Sequence, residues 1–232
     1  MSLQDFKVLT FDVVGTLIDF ERGMLDYLHR AAPNATVDDE GFLAAYREAR
    51  GADDSTWFPD DLARVWHVLA PRFALPDGAG IADGFRDSVR DWPAFPDSAA
   101  ALQRLRRRFK LVAMTNAQRW ALDHFERTLG NPFDDTVSCD DALCEKPNPL
   151  YFAFTRGRLS TRGFKLADNL HVAQSQYHDI GVAQSLGLAT CWIERRHGQP
   201  GFGGTHAVQN ITRPDYHFHT LAGLADAVEA GA

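Results

Sequence analysis

The sequence predicts an α/β fold, a doubly wound parallel sheet with a small all-helical insert, and three observations predict it. Short apolar runs rich in β-branched and aromatic residues occur at Val8–Phe11, Lys110–Met114, Leu170–Ala173 and Ala189–Ile193. They have strand length and lack the strict alternation of half-exposed strands, as strands buried on both faces do. The later runs alternate with segments of helical spacing, which implies parallel pairing through crossovers. Between the first two runs lies a block in which apolar residues recur only at helical intervals. These readings divide the chain into an α/β core, residues 1–18 and 93–232, and a helical domain, residues 19–92.

In chain order, the first run ends in Asp12-Val13-Val14-Gly15-Thr16-Leu17, where Gly15 permits a sharp turn. Residues 18–23 read as a linker. Three helical stripes follow: Met24, Leu25, Tyr27 and Leu28; Phe42, Leu43, Tyr46 and Ala49; Leu62, Val65, Trp66 and Leu69. Helix stops are expected at Gly51, Pro71 and Pro76-Asp77-Gly78. Trp92-Pro93-Ala94-Phe95-Pro96 forms a stiff return to the core, with Asp97 or Ser98 as the N-cap of a helix running to about Arg108. The second strand then leads to a helix over 118–129, a short strand at Thr136–Ser138 and a helix over 150–158. After the strand at Leu170, a helix over 180–186 ends at Gly187, a left-handed cap position. The Gly-rich piece 198–204 reads as a surface loop, and residues 221–230 as the last helix.

Composition bounds the function. The 232 residues are 45% hydrophobic and 24% charged, with a net charge of -7, the profile of a soluble globular protein with no nucleic acid or anionic membrane as its main partner. Arg104-Leu105-Arg106-Arg107-Arg108 is a local basic exception, read as a solvated helix end. Three cysteines are too few for a disulfide framework. No basic-then-apolar leader and no membrane-length apolar run is present, so a cytoplasmic location is expected. His197, His217 and His219 show no metal-ligand spacing and are expected to serve the surface. Assembly state is not encoded legibly, and a homodimer is kept as an option.

Four strand-to-loop passages carry the chemistry. If the strands are parallel, their carboxyl ends gather Asp12, Thr115-Asn116, Lys146 and Asp179 at the edge where open α/β sheets bind ligands. A carboxylate amid apolar neighbours needs a cation or donors to offset desolvation. Singly, each residue has a bland alternative. Asp12 could cap a turn, Thr115-Asn116 could bond its own backbone, Lys146 could be a surface lysine, and Asp179 could cap a helix. Together they supply a nucleophile, a cation to hold it ionised, and donors for substrate oxygens or a leaving anion.

Phe11-Asp12-x-x-Gly15-Thr16-Leu17 resembles the first motif of the haloacid dehalogenase-like (HAD) hydrolases, and the order of the other three stretches matches that superfamily's motifs. The resemblance implies a nucleophilic Asp12, with Lys146 and Asp179 as catalytic partners. It also implies an α/β core, a helical cap after the first motif, and substrate contacts from Thr115, Asn116, Val14 and Gln174. The phosphatases of the superfamily carry a general-acid aspartate two residues after the nucleophile, where Val14 stands. An alkoxide leaves poorly without a proton, whereas a halide leaves as a stable anion. The fourth motif of those phosphatases adds a second acid that helps hold magnesium. Here it reads Ala173-Gln174, with Asp179 alone retained, which weakens a site for an ion that prefers carboxylates and water.

Ala45-Tyr46-Arg47-Glu48 is similar to the cap segment in which L-2-haloacid dehalogenases present an arginine to the nucleophile. This implies Arg47 as the binder of substrate carboxylate or departing halide, with Arg50 its rival and a solvated helix face the alternative. Trp57, Phe58 and Trp66 could line an apolar pocket or pack the cap. The sequence departs from that branch at three places: Thr115-Asn116-Ala117 stands for Ser-Asn-Gly, Phe152 for a tyrosine with Tyr151 beside it, and Gln174 and Gln176 for a serine and an asparagine. The expected activity is hydrolysis of a short 2-haloacid through an aspartyl ester, with a small-molecule carboxylate as partner, halide as product, and no cofactor. Two alternatives stand: a magnesium-dependent small-molecule phosphatase holding its ion with Asp12, the Val14 backbone and Asp179, and a HAD-like protein with little catalysis.

Overall fold

The computed structural model describes residues 2–231. Its centre is one parallel sheet of six strands: β1 Val8–Phe11, β2 Lys110–Met114, β3 Asp135–Val137, β4 Asn169–Ala173, β5 Ala189–Ile193 and β6 Tyr216–Phe218. Their spatial order is 3-2-1-4-5-6, and every neighbouring pair is parallel. This order reverses direction between β1 and β4, which opens a crevice beyond their carboxyl ends. Every residue of β1 and β4 is buried, consistent with helices covering both faces.

Strand β6 escapes sequence reading. Its three residues include an exposed His217 and no fully buried side chain, so no apolar run marks it; pairing with β5 through Cys191, Trp192 and Ile193 creates it.

The insertion after β1 carries four helices: α1 Phe20–Ala31, α2 Asp39–Arg50, α3 Leu62–Phe73 and α4 Ala79–Asp87. The expected linker over 18–23 is mostly helix. Asp19 caps α1 by accepting from the Arg22 N–H at 3.1 Å, which starts the helix four residues before the first apolar stripe. Pro71 does not stop α3, which continues to Phe73 before Ala74 takes a left-handed conformation, so proline removes one donor near the helix end and no more. These helices bury an aromatic cluster, with Trp66 and Phe85 ring centres 5.2 Å apart and Tyr27 edge-on to Trp66 at 5.4 Å. Trp92 joins the cluster to the core through Phe58 at 5.7 Å and Phe125 at 6.5 Å. A Cβ at position 23 would lie 2.3 Å from the Trp92 ring, so only glycine allows α1 to approach this closely.

The remaining helices are α5 Ser98–Leu105, α6 Arg119–Thr128, α7 Cys139–Ala142, α8 Pro149–Thr161, α9 Gly181–Ser185 and α10 Leu221–Glu229. Neither Asp97 nor Ser98 caps α5 through its side chain. Asp97 instead accepts from Arg195 at 2.8 Å and from the Ala222 N–H at 3.0 Å, while the Ser98 hydroxyl donates to the Leu17 carbonyl at 2.9 Å. Long-range partners outbid the local cap. The piece 198–204 is only partly a surface loop, because Gly203 and Gly204 are buried. A Cβ on Gly204 would sit 2.7 Å from the Phe20 ring. None of the helices among the described residues is long and apolar enough to cross a membrane.

Candidate active site

A cleft of about 600 Å³ opens beyond the carboxyl ends of β1 and β4, between the sheet and the helical insertion. Asp12, Val14, Thr115, Asn116, Lys146, Gln174 and Asp179 all line it. Asp12 directly follows β1, and its N–H donates to the Val172 carbonyl at 3.0 Å, extending the strand pairing by one residue. Gly15, at φ +91°, then turns the chain, and Thr16 returns its hydroxyl to Asp12 Oδ2 at 2.5 Å. That hydroxyl in turn accepts from the Gln174 N–H at 2.8 Å.

Lys146 lies at the centre of the charge cluster and is 2% exposed. Its ammonium donates to Asp12 Oδ1 at 2.9 Å, Asp179 Oδ1 at 2.6 Å and the Met114 carbonyl at 2.8 Å, which uses all three of its protons. The lysine reaches this position from the loop before α8. Its backbone there is held in a two-bond pairing: Asn116 Nδ2 donates to the Lys146 carbonyl at 2.8 Å, and the Lys146 N–H donates to Asn116 Oδ1 at 2.7 Å. Asn116 thus serves first to position Lys146. Thr115 Oγ1 accepts from the Ala117 N–H at 3.1 Å, which leaves its hydroxyl proton for a ligand.

Asp179 sits in a single wide turn over Gln176–Ile180 and caps no helix with its side chain. Its Oδ1 is 2.9 Å from His171 Nε2, and His171 Nδ1 is 3.0 Å from Thr10 Oγ1. Its Oδ2 is buried and has no partner. Burial alone would raise the Asp179 pKa, but Lys146 and His171 outweigh it and hold the group at about 2. Asp12 moves the other way. Burial raises its pKa above the ordinary carboxylate value, the Asp179 charge adds to this, and Lys146 and Thr16 oppose it. The two carboxylates share one ammonium, and His171 adds a partner to Asp179 that Asp12 lacks, so Asp12 is the more basic of the pair.

The opposite wall comes from the insertion. Phe20, Tyr46, Arg50 and Phe58 face the cleft, and burial pushes the Tyr46 hydroxyl up to about 12. Arg47, the arginine the resemblance singled out, is not on this wall; its guanidinium donates to the Gly203 carbonyl. Arg50 occupies the wall instead, donating to the buried Asp61 at 2.6 Å and to the Thr56 carbonyl at 2.8 Å. Arg64 also binds Asp61, at 2.6 Å. Arg50 reaches toward Glu145 of the core at 3.8 Å. Of the three aromatics considered, Phe58 lines the cleft, whereas Trp66 packs inside the insertion with its indole N–H on the Pro76 carbonyl at 3.0 Å. Trp57 lies outside the cleft. The Tyr151 hydroxyl sits 2.8 Å from the Thr115 carbonyl, underneath the site.

Sequence reading missed His171, Thr16, His178 and His206. His178 and His206 line the cleft, and burial lowers the His178 pKa to about 3, which keeps the ring neutral. The length of the segment His171–Asp179 between two site residues was a usable signal for the first. Nothing local signals His206, which the loop after β5 brings in together with Gly204 and Thr205.

A family model described as haloacid dehalogenase-like hydrolase matches residues 6–187. The chain belongs to that hydrolase family. Among curated relatives it is 24% identical to an (S)-2-haloacid dehalogenase 4A of Burkholderia cepacia, over 86% of this chain and 88% of the relative. Among solved structures it is similar to the L-2-haloacid dehalogenase of Xanthobacter autotrophicus, at TM-score 0.78 and 21% identity, covering 98% of this chain and all of the other. It is also similar to the magnesium-bound HAD-hydrolase YfnB of Bacillus subtilis, at TM-score 0.71 and 22% identity over 95% and 97% of the two chains. At such identities the structural likeness speaks for the fold.

Proposed function

We propose that this hydrolase removes halide from a short 2-haloacid through an ester on Asp12. The observation that carries the reading is Val14 on the cleft wall, two residues past the Asp12 carboxylate. A side chain without a proton to give suits a leaving group that needs none. Asp12 attacks C2 of the substrate, a C–O bond forms, and the carbon–halogen bond breaks with its electron pair leaving on the halide. Lys146 keeps Asp12 ionised and aims it. Water then adds to the Asp12 carbonyl carbon, and the alkoxide of the hydroxy acid departs. The unpartnered Asp179 Oδ2 is the acceptor that orients this water and takes up its proton in transit to the departing oxygen. Thr115, Asn116, Gln174 and backbone donors orient the substrate. Arg50 takes the carboxylate- or halide-binding role expected of Arg47, because it lines the cleft while Arg47 is tied to the Gly203 carbonyl.

A second reading rests on the same orphaned oxygen. Asp179 Oδ2, the Asp12 carboxylate and the Val14 carbonyl would hold magnesium, which would supply a Lewis acid for phosphoryl transfer. The residues fit it poorly: Lys146 occupies the space between the two carboxylates, and Gln174 adds no charge. Chloride release from a 2-chloro acid, assayed beside phosphate release from an aryl phosphate with and without magnesium, separates the readings. Metal-independent halide release supports the first, and magnesium-dependent phosphate release alone overturns it.

A further inference from the structure

At the β6 edge of the sheet, on the same carboxyl-terminal side as the cleft, Glu194 follows β5, while His217 and His219 belong to β6 and its exit. The sequence offers no ligand spacing here, yet parallel pairing of β5 with β6 brings these residues together. Their candidate ligand atoms all lie within 4.8 Å of one another. A single carboxylate oxygen, Glu194 Oε2, faces three ring nitrogens: His217 Nε2 at 2.8 Å, His197 Nδ1 at 3.1 Å and His219 Nε2 at 3.7 Å. Zinc bonds to N and O at about 2.0–2.2 Å, so tetrahedral ligands stand about 3.3–3.6 Å apart. The observed separations bracket that value, so small side-chain rotations suffice.

We propose that Glu194, His217 and His219 form a binding site for a divalent transition-metal ion of the zinc class, with water completing the coordination. Imidazole and carboxylate are the ligand types such ions accept, and no thiolate is needed. Both rings are held by neighbours: His217 stacks on Trp192 at 4.5 Å with planes 19° apart, and His219 stacks on His197 at 3.4 Å and 8°. The arginines that follow Glu194 are engaged elsewhere: Arg195 with Asp97, and Arg196 with Glu21 and Glu40. An entering ion takes the ring nitrogens that now face the carboxylate, and each neutral ring keeps its proton on the other nitrogen.

The site joins both ends of the loop between β5 and β6, the loop that carries Gly204, Thr205 and His206 to the cleft. A bound ion therefore staples the base of that loop and secures a three-residue edge strand. Trp192 extends the link inward, its indole N–H donating to the Gln174 carbonyl at 2.8 Å.

The test is calorimetric titration of the full chain with zinc chloride, with the melting temperature read in parallel. The expected result is one saturable ion per chain, bound equally by wild type and by Asp12→Asn, with a melting temperature that rises on addition. His217→Ala combined with His219→Ala should weaken binding at least about tenfold and abolish the rise. Both histidines are exposed, so the apo variant keeps its fold, and Glu194→Gln, which keeps shape but loses charge, gives an independent second loss. Absence of saturable binding overturns the proposal. So does wild-type affinity in the histidine variant, or loss of the ion in Asp12→Asn, which would place it in the catalytic cleft.

Discussion

Replacing Lys146 with methionine keeps the length of the side chain and deletes the charge that two buried carboxylates share. Three charge-assisted or backbone bonds at 2.6, 2.8 and 2.9 Å disappear together. Removing one partner of a buried ion pair costs about 3–5 kcal/mol, because the other charge stays behind. In a chain of this size that lowers the melting temperature by about 6–20 °C. The loss depends on pH in a defined direction. Without the ammonium both carboxylates have raised folded pKa values, so the folded state binds more protons than the unfolded state and stability falls as pH rises. Urea unfolding followed by circular dichroism at pH 5 and pH 7.5 measures this. Lys146→Met should be the more stable at pH 5, and adding Asp12→Asn should restore much of the loss at pH 7.5. A loss under about 1 kcal/mol at pH 7.5, or no recovery on acidification, would refute the shared-ammonium reading.

Other outcomes follow from the same geometry. Asp12→Asn should reduce halide release at least about 10³-fold with the circular dichroism spectrum unchanged, since an amide is a feeble nucleophile. The acid limb of kcat/KM should fall above pH 3.8, because burial raises the Asp12 pKa from that value; a limb at or below 3.8 contradicts it. His171→Phe removes the ring that bonds Asp179 at 2.9 Å and should cost about 1.5–3 kcal/mol by urea unfolding, the worth of a hydrogen bond to a charged group. Arg50→Ala should raise KM for a 2-chloro acid at least about tenfold by removing a bidentate-capable cation, whereas Arg47→Ala should change it less than threefold; the reverse ranking would return the substrate role to Arg47.

Asp12, Lys146 and Asp179 could be picked out beforehand because each stands where an apolar run or a proline-rich loop meets a polar word, and the topology does the rest. The choice between Arg47 and Arg50 could not be made that way. They lie three residues apart on α2, and the rotation of that helix is set by Phe20 of α1 against Tyr46 and by the Asp61 carboxylate before α3 on Arg50, both from outside the helix. His171 was hidden because a strand buried on both faces reads as uniformly apolar, and its one polar side chain acquires a purpose only when Asp179 folds back onto it. Strand β6 and the histidine–glutamate cluster depend on sheet pairing between segments more than twenty residues apart, for which no local spacing exists. Helix α1 shows the converse failure: the capping bond from Asp19 was available in the sequence, but the first apolar stripe drew the boundary too late.

The measurement that bears most directly on the covalent role of Asp12 is mass spectrometry after a single turnover of a 2-chloro acid in heavy-oxygen water. Attack of water on the Asp12 carbonyl predicts one heavy oxygen in the peptide containing Asp12 and none in the released hydroxy acid. Halide release with the label in the product and none in that peptide would mean that water displaces the halide directly, and the account of Asp12 as nucleophile would be wrong.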